Sequence, residues 1–376
     1  MKKYFKGLNA LRFIGALSVV LGHIELIKSF YGIPNLMEIP FYKNTSGHTG
    51  VILFFVLSGF LITYFLLDEL KEDSKINLKR FYIKRILRIW PIYYIMVIFS
   101  ILFLPIILTK LGEKTDNYTF EQIKYYLLFL PNISKSLKHS IPGAVHLWSI
   151  GVEEQFYLIW PILISIFKKY LPLLFITTFI IFSLIPSLID YTYIRSFYFQ
   201  QNIDLKNFLN SFFISFKINA MAIGALFAFW YHTKNKILLF FYSKYIELLI
   251  MTIPFILWVL GIQLGRFTDE IYSIMFAILI LVISTKKNTA ITLENSFFTF
   301  FGNISYGMYV YHWVIIVIII TILKQTNINI NENQTIVNVI IYFFGISLTI
   351  LSSYLSYLFI EKPILGLKNK IFKQYQ

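Results

Sequence analysis

Ten stretches of mostly apolar residues, each near the length that crosses a bilayer, leave this chain little choice of fold. They lie near residues 8–29, 49–67, 87–108, 150–167, 171–190, 210–231, 245–264, 269–285, 299–323 and 336–360. A hydrocarbon core about 30 Å thick takes roughly 20 apolar residues of α-helix. Inside it every backbone polar group must be bonded within the protein, which favours helices. The expectation is an all-α polytopic membrane protein, a bundle of about ten transmembrane helices. Residues 1–376 are read as a single integral-membrane domain. Composition agrees: only 14% of residues are charged, against about 25% in soluble domains. No repeat with a period of roughly 20–50 residues is visible.

The lysines and arginines set the expected orientation. Lys2, Lys3 and Lys6 precede the first apolar run, which is too long for a signal-peptide core and is expected to remain as an anchor. With the N-terminus inside, inner loops receive Lys71, Lys75, Lys79, Arg80, Lys84, Arg85 and Arg88, then Lys168 and Lys169. Lys234, Lys236, Lys244, Lys286, Lys287, Lys362, Lys368, Lys370 and Lys373 follow on the same side. By the positive-inside rule both termini are expected to be cytoplasmic. The net charge of +15 is explained by that rule, and no nucleic-acid partner is expected. The loop 109–148 falls outside, and its EQIKYYLLFL piece is expected to lie along the membrane surface. The chain ends shortly after Pro363, so no appended soluble domain is expected. The absence of cysteine excludes disulfides, a Cys₄ metal site and a cysteine acyl-enzyme. No metal is expected.

Ionisable residues inside membrane helices are costly and by default mark function. Arg12 and His23 share the first apolar run. They are eleven residues apart, about 16 Å of helical rise and close to three turns, so they lie on nearly one face. A neutral imidazole there suits a general base for an alcohol, or an acyl acceptor; it also suits interhelical polar bonding. Glu25 lies on a different face and reads as interfacial. Arg85 and Arg88, at i and i+3, present two guanidinium forks on one face, fit for a phosphorylated ligand. Lys84 and Arg80 add to the field, and topology anchoring or anionic lipid is the alternative.

Residues 146–161 read HLWSIGVEEQFYLIWP. Glu153 and Glu154 suit the dipole of a helix N-terminus. Beside Trp148, Tyr157 and Trp160 they are also candidates to orient a catalytic imidazole or to bind sugar hydroxyls. FFVLSGFLIT places Ser58 and Gly59 mid-membrane, where small residues permit close approach. It lacks the G-x-S-x-G of a nucleophile elbow. GNISYGMYVYHW contributes Tyr306, Tyr309 and His312, and SYLFIEKPIL ends on Glu361, Lys362 and Pro363. Aromatic-belt positions explain part of these.

Taken together, these stretches resemble the acyltransferase-3 family, integral-membrane acyltransferases that modify bacterial surface glycans. Five segments match in order: Arg12 through His23, FFVLSGFLI, Arg85 and Arg88 followed by Pro91, HLWSIGVEEQFYLIWP, and SYGMYVYHW with SYLFIEKP. The resemblance covers about residues 6–365. It implies a multi-pass protein of the bacterial inner membrane that moves an acyl group, acetyl foremost, from cytoplasmic acyl-CoA. The implied acceptor is a hydroxyl of an extracytoplasmic glycan such as lipopolysaccharide, capsule, exopolysaccharide or peptidoglycan. It implies His23 as the catalytic base or acyl carrier, with Glu153 and Glu154 assisting, and Arg12, Arg85 and Arg88 at the acyl-CoA. Ser58, Trp148, Ser149, Tyr157, Tyr306 and His312 are the substrate-contacting candidates. Many relatives fuse an esterase-like domain that this chain is expected to lack, and Lys217 stands where they often carry arginine. A transporter or flippase of a lipid-linked sugar or acyl group is the alternative; matched Gly/Pro-broken helices, which would favour it, are not seen.

Overall fold

In a computed structural model of the chain, residues 4–115, 117–195, 202–286, 289–326 and 332–373 are described. Lys2, Lys3 and Lys287, which entered the topology argument, lie outside them, as do the side chains of Lys368, Lys370 and Lys373. The described residues are helical with no strand. The helices run α1 (Leu8–Phe30), α2 (Ser46–Asp73), α3 (Leu78–Ile98), α4 (Leu104–Lys110), α5 (Phe120–Leu127), α6 (Pro131–Ser136) and α7 (Trp148–Ile166). They continue with α8 (Leu171–Arg195), α9 (Ile203–Ser215), α10 (Ile218–His232), α11 (Lys244–Val259), α12 (Thr268–Thr285), α13 (Ser296–Lys324), α14 (Gln334–Ser356) and α15 (Lys362–Lys373).

Each of the ten expected segments contains a helix, although the one expected at 245–264 leaves the helix after Val259. Among the described residues, eight helical segments are long and apolar enough to span a membrane. The two that fall short are α7, with 19 residues, and α11, with 16. In α7 the polar run Glu153, Glu154 and Gln155 lowers the hydropathy. Three helices are extended by π-helical turns: Phe41–Thr45 leads into α2, Phe99–Phe103 joins α3 to α4, and Tyr357–Glu361 joins α14 to α15. The segment expected at 210–231 is interrupted at Phe216 and Lys217, between α9 and α10.

Close packing fixes the centre. The most extensive interface joins α2 to α10, and α1 packs along α13 and α2. A Cβ at Gly59 would collide with the backbone carbonyl of Met221, and one at Gly224 with that of Val56. This backbone-to-backbone approach is what small residues allow where lipid offers no hydrophobic drive for association. At the periphery, α8 buries almost nothing along its apolar window. That exposure is what a lipid-facing helix requires.

One local expectation is corrected. Glu25 is not interfacial: it is fully buried, salt-bridged to Lys28 at 2.7 Å, and accepts from the Tyr342 hydroxyl and the Leu36 amide. A buried carboxylate needs such partners to offset its desolvation, and here they pin the turn after α1. Lys217, which stands where relatives often carry arginine, caps the α9–α10 break with a 2.7 Å salt bridge to Asp269. The EQIKYYLLFL piece folds as α5 with a Thr119–Gln122 capping box. It is clamped by Tyr93 and Tyr94 of α3, whose hydroxyls donate to the Tyr126 and Leu127 carbonyls, while Phe120 and Leu128 stay exposed.

Candidate active site

Around the two stations of α1 the structure builds two different environments. At the Arg12 end a cavity of about 270 Å³ opens between α1, α2, α3, α7 and α13. Arg12, Arg85 and Arg88 all line it. Among the described residues none of the three forms a salt bridge. Arg12 donates to its own helix at Asn9 Oδ1, 3.1 Å away. The Arg85 guanidinium lies over the rings of Phe81 and Tyr157, at 5.6 and 5.3 Å, and its buried Nε has no hydrogen-bond partner. A buried donor left unbonded costs about 1–3 kcal/mol. Guanidinium groups gathered without a direct salt bridge among the described residues, though Glu153 lines the same cavity, suit a multiply charged anionic ligand.

The cavity wall opposite is polar but uncharged in its bonding. Ser58 Oγ donates to Glu153 Oε1 at 2.8 Å, and the Tyr157 hydroxyl lies 3.0 Å from Ser58 Oγ and 3.2 Å from Glu153 Oε2. Tyr306 lines the same space and donates to the Ile89 carbonyl at 2.9 Å. Glu154 points elsewhere, as adjacent residues on a helix must, about 100° apart. Its Oε2 accepts from Trp90 Nε1 at 2.9 Å, and its Oε1 is buried without a partner. Glu361, delivered by the π-turn before α15, likewise keeps a buried unpartnered oxygen, within electrostatic reach of Arg88.

Toward the other end the cavity stops at Ser149 and Tyr309, whose hydroxyls meet at 2.6 Å. The Tyr309 hydroxyl donates to the His146 carbonyl at 2.6 Å, and Phe54 meets the Tyr309 ring edge-on. Behind this layer lies His23. Its Nδ1 is 2.7 Å from Nε2 of His312, and the two rings stack with centroids 5.0 Å apart. Nδ1 of His312 is 3.1 Å from the Met308 carbonyl. His146 packs edge-on to His312 and flat against Trp313, with Nε2 2.9 Å from the Val310 carbonyl.

These contacts fix the tautomers of the neutral pair. A carbonyl only accepts, so His312 Nδ1 carries hydrogen and its Nε2 carries the lone pair. His23 Nδ1 must then donate, and His23 Nε2 is left as the free base. His312 and His146 are fully buried, whereas His23 keeps partial exposure and faces Gly47, where a Cβ would stand 3.5 Å from Nε2. Of the three imidazoles, His23 combines partial exposure with a ring nitrogen left free by the pairing at Nδ1.

The sequence-predicted residues therefore divide. Arg12, Arg85, Arg88, Ser58, Ser149, Glu153, Tyr157 and Tyr306 share one cavity. His23 and His312 meet beyond its end. Glu153 and Glu154, expected to orient His23, bond Ser58 and Trp90 instead, and His312 occupies the orienting position. Trp148 presents its ring to the Lys135 ammonium, 3.9 Å from the centroid. His146, Lys135 and Phe54 were not singled out from the sequence. His146 was legible as the first residue of HLWSIGVEEQFYLIWP; Lys135 sits in a polar loop with no pattern to mark it.

Comparison with known proteins adds the following. The family described as "Acyltransferase domain" (Acyl_transf_3) matches residues 5–358. The peptidoglycan O-acetyltransferase OatA of Listeria monocytogenes is 33% identical over 174 residues, 45% of this chain and 25% of that protein. The O-acetyltransferase OatA of Staphylococcus aureus is 27% identical over 400 residues, 99% of this chain and 58% of that protein. A putative O-acetyltransferase of Staphylococcus aureus strain COL is 26% identical over 389 residues, 96% of this chain and 57% of that protein. The chain thus spans less than two thirds of the length of these relatives. No solved structure matches.

Proposed function

Since the chain belongs to the acyltransferase family that its residues 5–358 match, we propose that it transfers an acetyl group from acyl-CoA to a glycan hydroxyl across the bacterial cytoplasmic membrane. In this reading both termini and the Arg12 end of the bundle are cytoplasmic, and the whole chain acts as one membrane unit. The observation that carries it is the placement of three arginines without salt bridges on one cavity, about three helical turns from a histidine with a free Nε2.

Arg12, Arg85 and Arg88 hold the phosphates of acyl-CoA at the cytoplasmic mouth, and the orphaned Arg85 Nε gains an acceptor. Ser58, Tyr157 and Tyr306 offer hydroxyls along the path of the pantetheine arm, whose length is comparable to the rise of about 16 Å from Arg12 to His23. Ser149, Tyr309 and Phe54 separate that path from the histidines and must part for the acyl group to arrive. His23 Nε2 takes the proton of the acceptor hydroxyl, while His312 holds the ring through Nδ1. General base catalysis of this kind contributes about 10²–10⁴-fold. The name of the Listeria monocytogenes relative points to peptidoglycan as the first acceptor to try, with other surface glycans following.

Purified protein in lipid, given labelled acetyl-CoA, should bind it with an affinity that falls as salt rises. In the presence of glycan fragments, label should appear on the glycan. Binding that is absent, or transport of a lipid-linked sugar without acyl transfer, would reject the reading.

A further inference from the structure

A base explains how the acceptor oxygen is activated. It does not explain what receives the negative charge that develops on the acyl carbonyl, and preorganised donors at that oxygen commonly supply the largest part of an acyl-transfer rate. The arginines stand at the far end of the cavity, and none of the three histidines near the reaction has a free N–H to spare: His23 and His312 use theirs on each other and on Met308, and His146 is turned to Val310.

One cation stands apart. Lys135 lies on α6, which packs against α7 and the Val145–Leu147 turn that carries His146, and it is not among the residues lining the arginine cavity. Its ammonium makes no hydrogen bond and no salt bridge among the described residues. It rests on the face of Trp148, 3.9 Å from the ring centroid. Trp148 opens α7 directly after the turn that carries His146, and the Lys135 ammonium is near enough for its charge to act on the His23 ring. A cation held by an aromatic face, with its donors unspent and its charge felt at the His23 ring, has the features required of an oxyanion donor.

On the acyl-transfer reading proposed above, we infer that Lys135 is a catalytic residue that receives the carbonyl oxyanion of the transferred acyl group. The acceptor O–H gives its proton to His23 Nε2 as its oxygen bonds the acyl carbon. The carbonyl electron pair moves to oxygen, opposite the Lys135 ammonium. Its return breaks the carbon–sulfur bond, and the leaving thiolate takes the proton from His23.

Burial pushes the Lys135 ammonium down to about 8. The charged groups on elements packed against α6 are engaged elsewhere or exposed: Glu121 and Lys124 of α5 pair with each other, Lys206 of α9 pairs with Asp190, and Asp204 is exposed. His146 bonds Val310, and Glu153 and Glu154 of α7 bond Ser58 and Trp90. Lys135 is charged below that value and loses its proton above it, so transfer should fall as pH rises through about 8.

The test compares wild type, Lys135→Met and Lys135→Arg in lipid with labelled acetyl-CoA and glycan acceptor. Lys135→Met should lower kcat by about 10²–10³-fold, the size of losing one oxyanion donor, with KM for acetyl-CoA unchanged. Lys135→Arg should keep much of the activity and hold it to higher pH, because guanidinium does not lose its proton there. A Lys135→Met protein within threefold of wild type, or the same alkaline decline in wild type and Lys135→Arg, would overturn the inference while leaving acyl transfer standing. A wild type that binds acetyl-CoA yet transfers to no acceptor would overturn both.

Discussion

The two ends of α1 handle charge in opposite ways. At Arg12 three guanidinium groups face a cavity with no salt bridge among them and one buried donor unspent. At His23 a short hydrogen-bonded chain runs from the Met308 carbonyl through His312 to His23. Unspent charge costs stability and is recovered only when an anion binds. A bonded chain costs little and fixes one tautomer. On the function proposed above, the contrast divides binding from chemistry along a single helix, and substitutions at the two ends should fail differently.

The largest effect should come from the chemical end. His23→Ala should lower transfer by about 10²–10⁴-fold while acetyl-CoA binding and the thermal transition of the protein stay near wild type. Next, His312→Ala removes the partner that orients His23 and leaves His23 Nδ1–H without its acceptor. Losing such a buried bond costs about 1–3 kcal/mol, so kcat should fall about 5- to 150-fold, with KM for acetyl-CoA unmoved. At the binding end the pattern reverses. Arg85→Ala should raise KM for acetyl-CoA by about 10-fold or more, the range of a charged hydrogen bond, and reduce the salt dependence of binding. Arg85→Lys should restore only part of it, since one point charge does not replace a fork. Smallest is Ser58→Ala: its hydroxyl bridges Glu153 and Tyr157, and transfer should drop no more than about 2- to 10-fold, the worth of one hydrogen bond. Steady-state kinetics beside equilibrium binding reads all four. A His312 variant defective in binding, or an Arg85 variant defective only in kcat, would break the division.

How much of this was legible in the sequence follows from the physics of each element. Hydropathy located every spanning helix, because the bilayer imposes length and polarity on each segment separately. It did not show the π-turns, which depend on local register, or the break at Phe216 and Lys217, which is capped by Asp269 from a helix about fifty residues later. The arginines were readable because charge in an apolar run is conspicuous. Their gathering on one cavity with Ser58 and Tyr157 was readable only through the family resemblance, since four helices supply them. The partner of His23 was misread. Glu153 and Glu154 were attractive by type, but helix geometry sends them to Ser58 and Trp90, while His312 arrives from 289 residues away. Glu25 was misread for the same reason: its solvation is replaced by Lys28 and Tyr342, and composition does not show who stands opposite a carboxylate.

The central claim is that donor binding and base catalysis occupy opposite ends of α1 and opposite faces of the membrane. Sealed vesicles carrying the protein in one known orientation, with labelled acetyl-CoA confined to one side and glycan acceptor to the other, test it most directly. Acetylation should appear only when acetyl-CoA is on the Arg12 side and acceptor on the His23 side, and His23→Ala should abolish it. Acetylation with both substrates on the same face, or transfer that persists in a folded His23→Ala protein, would contradict the account.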